Sequence, residues 1–114
     1  RRVAAVYDSA LDGTAVRAPA QGLQRHHVFH LYVVRAPNRE RFRRSLAAAG
    51  VETAVHYPVP VHEQPAYRSL APETRSLEQS ERAAEEVVSV PLYPELTDDE
   101  VAYVAEALAA AASA

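Results

Sequence analysis

Val3, Val6, Tyr7 and Ala10 recur at i, i+3, i+4 and i+7, the apolar stripe of an amphipathic helix over residues 1–11. No capping side chain precedes that helix, which is expected to continue from something upstream. Asp12-Gly13, Pro19 and Gly22 mark residues 12–25 as a connecting loop. The run from Val28 to Arg35 is β-branched and aromatic, with Phe29, Leu31 and Val33 on one face and Val28, His30, Tyr32 and Val34 on the other, and predicts a strand. Asn38 can cap a following helix in which Phe42, Leu46 and Ala49 share a face, and Gly50 supplies the residue beyond its end. Val51–Val55 predicts a second, short strand. Prolines 58, 60, 65 and 72 then rule out a long regular element over residues 57–76, leaving room for a helical turn or two between Gln64 and Leu70. Leu77, Ala84 and Val88 have helical spacing, and this polar helix runs into an apolar segment, Val87–Leu92, read as a third strand. Thr97 and Glu100 form a capping box for a last helix that buries Val101, Val104, Leu108 and Ala111 or Ala112. The order predicts an α/β fold, a small, mostly three-stranded sheet covered by helices, with residues 1–114 as a single domain.

Composition sharpens this picture mainly by exclusion. The chain has 114 residues, 48% of them hydrophobic, with two Phe and neither Trp nor Met, so the core is expected to be thin and built from small side chains. A formal net charge of −3 speaks against nucleic acid as a partner. No apolar run approaches the roughly 18–20 residues of a membrane span. With no Cys there is no disulfide, thiolate metal site or cysteine nucleophile, which suits a cytoplasmic setting. All twelve basic residues are Arg. Without Lys, no side chain of this chain can form a Schiff base with an aldehyde.

The densest gathering of unusual side chains is the segment His56-Tyr57-Pro58-Val59-Pro60-Val61-His62-Glu63-Gln64-Pro65-Ala66-Tyr67, at the end of the second strand. Two imidazoles, two phenols, a carboxylate and an amide sit on backbone stiffened by proline, an arrangement suited to binding. It is also what a surface connection packing its aromatics on the core edge would look like. Metal chemistry has a weaker basis: on a strand, His27 points away from His30, and His26 stands about 13 Å from His30 at ~3.3 Å per residue, so no metal site is expected there. Arg39, Arg41, Arg43 and Arg44 read as a solvated helix face supported by Glu40.

That segment resembles the C-terminal signature of the DegT-type nucleotide-sugar aminotransferases, a branch of the fold-type-I pyridoxal-phosphate enzymes. Three further stretches resemble the family in the same order: His27–Arg35, Gly50–Tyr57 and Ser89–Val101. The resemblance implies a dimeric parent enzyme moving an amino group from glutamate or glutamine to a keto sugar nucleotide or similar cyclic ketone. It also implies that the Lys and the pyridoxal phosphate contacts belong to a large domain preceding residue 1, with no cofactor expected on this chain. His56, Tyr57, His62 and Gln64 would then face the substrate cleft, Tyr57 donating to a substrate oxygen and His56 or His62 touching sugar hydroxyls or phosphate; either His could instead merely tie the loop to the backbone. The competing expectation is a free-standing small-molecule-binding or dimerisation module without catalytic activity.

Overall fold

A computed structural model describes residues 1–22, 25–70 and 77–113. Four helices, α1 (Arg2–Leu11), α2 (Arg39–Ala48), α3 (Glu78–Glu86) and α4 (Asp98–Ser113), surround two strands, β1 (Tyr32–Arg35) and β2 (Val87–Val90). The strands pair antiparallel with Tyr32 opposite Val90 and Val34 opposite Val88. Those four side chains are buried, and they face a core shared with Tyr7, Leu11, Phe42, Leu46, Val101, Val104 and Leu108. Burying each such side chain contributes about 1.5–3 kcal/mol. α1 and α2 both pack on α4. The buried stripe of α1 is Ala4, Tyr7 and Leu11, while Val6 is turned partly to solvent.

The helix ends follow local rules. Asn38 accepts a hydrogen bond from the Arg41 amide at 3.2 Å. At the other end of α2, Gly50 adopts φ +72°, its amide bonds Ala47 O and that of Val51 bonds Leu46 O, a Schellman closure that a side chain at residue 50 would strain. Thr97 and Glu100 exchange their bonds at the start of α4, at 2.8 and 3.2 Å. The backbone bond from Thr97, followed by the bond from its hydroxyl, holds the Glu100 carboxyl below its ordinary range.

The sheet is smaller than the hydrophobic pattern predicts, with two strands rather than three among the described residues. The predicted second strand, Val51–Val55, makes one antiparallel bridge, Ala54 with Ser89, through backbone bonds of 3.0 and 2.8 Å. Its first residue is consumed in closing α2, and Pro58 and Pro60 beyond it lack the amides a ladder needs. The predicted strand from Val28 begins only at Tyr32 because Phe29 takes φ +53°, outside the extended region. Its amide bonds the His27 Nδ1 at 2.8 Å and the two rings stack 4.3 Å apart. β2 ends at Val90, ahead of Pro91. In the proline-rich stretch, short 3-10 turns at Val61–Glu63 and Arg68–Leu70 replace regular structure, and Pro72 lies outside the described residues.

Candidate functional site

Leaving the Ala54 bridge, the chain turns at His56 and Tyr57, whose peptide bond is cis. Their rings meet edge to face at 5.3 Å. The next residues are shaped by their own backbone: Glu63 N bonds Pro60 O, Gln64 N bonds Val61 O, and Tyr67 N and Arg68 N both bond Gln64 O. The Arg68 guanidinium adds a bond to Glu63 O at 3.1 Å. Proline rings limit what each remaining residue can do, so the segment holds a fixed curve without a sheet or helix to support it.

That curve faces α3 across a hollow of ≈ 620 Å³, within the range of small-molecule sites. His56, Tyr57, His62 and Gln64 all line it, so the four residues singled out in the sequence come together at one place. Tyr67 lines it too, with Val59 and Val61. The opposite wall comes from Leu77, Ser80, Ala83 and Ala84, and sequence reasoning missed it. The signal was present as the helical spacing of small and apolar residues along α3, but nothing local indicated which element that face would meet. The lining is mostly apolar, with a few polar groups converging on it, and Tyr57 keeps 71% of its surface free.

Two buried or half-buried groups hold the imidazoles. His56 Nδ1 lies 2.8 Å from Ser89 Oγ, and His62 Nε2 lies 3.1 Å from Glu81 Oε1. Glu81 also accepts the Leu77 amide at 3.0 Å, at the start of α3. At the far end of that helix Glu86 is buried, bonded by Arg82 Nε at 2.8 Å and Arg35 Nε at 2.9 Å. The Arg82 bond above all, against an opposing effect of burial, holds the Glu86 carboxyl below the usual range. Arg35 Nη2 remains buried without a partner among the described residues. Arg39 Nη1 donates to Ala84 O, fixing α3 from the side of α2. Arg39 and Arg43 are thus half-buried and tied down, Arg43 by Thr53 at 3.1 Å, while Arg41 and Arg44 are solvated as the sequence suggests.

Among the described residues one group brings three metal-ligating side chains within 4.8 Å of one another: His62, Glu63 and Glu81. Glu81 is already committed to the Leu77 amide and the His62 ring. His26, His27 and His30 form no such group and are exposed. Among the described residues no helix is long and apolar enough to cross a membrane.

Residues 1–109 match the DegT/DnrJ/EryC1/StrS aminotransferase family. The chain belongs to that family. It is 39% identical over 112 residues to the pleiotropic regulatory protein of Geobacillus stearothermophilus, covering 96% of this chain and 30% of that one. It is 39% identical over 108 residues to the UDP-2-acetamido-2-deoxy-3-oxo-D-glucuronate aminotransferase of Pseudomonas aeruginosa, covering 95% and 29%. Among solved structures, DesV of S. venezuelae in complex with a ketimine intermediate superimposes with a TM-score of 0.92 at 37% identity, covering 99% of this chain and 31% of that one. The chain thus spans about 30% of the length of each of these three proteins.

Proposed function

We propose that this chain is the C-terminal small domain of a cytoplasmic, dimeric, pyridoxal-phosphate-dependent aminotransferase acting on a keto sugar nucleotide or similar cyclic ketone. The observation that carries this reading is the hollow in which His56, Tyr57, His62 and Gln64 converge. The name of the P. aeruginosa relative and the ketimine intermediate in the S. venezuelae structure support the reaction class, and the share of their length that is matched supports a preceding large domain. Shape supports it as well: the radius of gyration is 15.6 Å, against about 13 Å for a compact domain of this length.

Residues of this chain do not fit covalent attachment of the cofactor, because none of the 114 is Lys. Pyridoxal phosphate is therefore assigned to the large domain, and no step through it is assigned here. In the net reaction glutamate, or glutamine, gives up its amino group and leaves as the keto acid while the sugar carbonyl becomes an amine. The contribution of the small domain is to orient the sugar. Tyr57 donates its phenol hydrogen to a substrate oxygen, the two imidazoles meet hydroxyl or phosphate oxygens, and the Gln64 amide both donates and accepts. Val59, Val61 and Leu77 offer apolar contact on the same face.

The test compares amino transfer from glutamate to a 3-keto nucleotide sugar, with added pyridoxal phosphate, by this chain alone and by the reading frame extended on its N-terminal side. Activity confined to the extended protein supports the proposal. An extended protein that lacks cofactor binding refutes it, and favours a small-molecule-binding or dimerisation module without catalytic activity.

A further inference from the structure

His56 and His62 are each held by one ring nitrogen, and the holding group dictates where the ring hydrogen sits. Ser89 is buried, and its hydroxyl has no hydrogen-bond partner but His56 Nδ1 among the described residues. Were Nδ1 the donor, the hydroxyl hydrogen would be left unpaired in the interior, at a cost of about 1–3 kcal/mol. The hydroxyl therefore donates to Nδ1, and the His56 hydrogen resides on Nε2. For His62 the reasoning is simpler. A carboxylate only accepts, so the 3.1 Å contact with Glu81 Oε1 places the His62 hydrogen on Nε2 and leaves Nδ1 as a lone pair.

We propose that Ser89 and Glu81 are positioning residues that fix both imidazoles as Nε2–H tautomers, so that the hollow presents one donor, His56 Nε2–H, and one acceptor, His62 Nδ1. The free atoms of the two rings are thus opposite in kind although the tautomers are the same. A sugar ring suits that pair, because neighbouring hydroxyls donate to one nitrogen and accept from the other. A phosphate oxygen can only accept and is served by His56 alone. The identity of the ligand rests on the function proposed above; the tautomers rest on protein geometry and are tested without any ligand.

Long-range proton–nitrogen correlation spectra of the 114-residue chain at about pH 8, above the ordinary imidazole value of about 6.5, read the tautomers directly. Both rings are expected to show a pyridine-like Nδ1 and a pyrrole-like Nε2. Ser89→Ala moves the two His56 nitrogens toward averaged shifts and leaves His62 unchanged; Glu81→Ala does the reverse, and Glu81→Gln, which keeps an acceptor oxygen, restores His62. A wild-type His56 with its hydrogen on Nδ1, or one indifferent to Ser89→Ala, overturns the proposal. Should Ser89→Ala fail to fold, the wild-type spectrum and Ser89→Thr, which keeps the hydroxyl, decide. In the extended enzyme Ser89→Ala is expected to raise KM for the nucleotide sugar several-fold. An unchanged KM alongside the expected tautomers leaves the positioning role standing and removes the sugar-cleft reading.

Discussion

Tyr7 and Tyr32 lie in the core with their rings 5.3 Å apart and both hydroxyls satisfied, Tyr7 by Pro91 O at 3.0 Å and Tyr32 by Asp8 at 2.6 Å. Tyr57 and Tyr67 lie on the rim of the hollow, largely exposed, with no partner for either hydroxyl among the described residues. Burial, and secondarily the neighbouring Tyr93, pushes the Tyr7 phenol up to about 12, and burial followed by Asp8 raises that of Tyr32 further. The same side chain is thus used in two ways. In the core its ring fills space and its hydroxyl is spent on the fold; on the rim both are available to something else.

Substitutions can break that division or sharpen it. Leu108, fully buried on α4, is the strongest case on the core side: Leu108→Ala is expected to cost about 3 kcal/mol in a urea unfolding series. Glu86→Ala removes the acceptor from two guanidinium groups and is expected to cost about 2 kcal/mol. Its carboxyl is held low in the folded state, so its contribution is present above the unfolded value of about 4.3 and is lost as pH falls through the folded one. Unfolding measured down a pH series should therefore show a steeper loss on acidification for the wild type than for Glu86→Gln. Thr97→Ala, which opens the capping box of α4, is expected to cost about 1 kcal/mol. On the rim, Tyr57→Ala should leave stability within about 0.5 kcal/mol of wild type. In the extended enzyme the same change should raise KM for the nucleotide sugar about tenfold, the loss of one hydrogen bond of about 1.4 kcal/mol. A large stability loss at Tyr57 would erase the contrast between the two pairs.

What the sequence made legible was local. Asn38, Gly50, Thr97 and Glu100 act within one turn of their own helices, and their roles could be read from spacing alone. The candidate loop was also legible, because proline, imidazole and phenol are crowded into twelve consecutive residues. The sheet was harder. Hydrophobic alternation from Val28 onward is the same whether or not Phe29 leaves the extended region, and five residues ahead of a proline cluster look like a strand until their partner is known. Least legible were the groups that hold the imidazoles, since Ser89 is 33 residues from His56 and Glu81 is 19 from His62. Neither is unusual in its own neighbourhood, and only the placing of α3 and β2 against the loop brings each to its histidine.

Glu86 is the last residue of α3 and Val87 the first of β2, with nothing between them. The helical wall of the hollow is therefore a rigid extension of the central strand, anchored by Arg35 and Arg39 from either side. Such a wall has no joint about which to swing. The opposite, proline-bearing jaw is held separately, by its own short turns and by the bonds of His56 to Ser89 and of His62 to Glu81. Shape selection at this site is consequently set from two sides, a template of small side chains on one and a preset curve of imidazoles and phenols on the other.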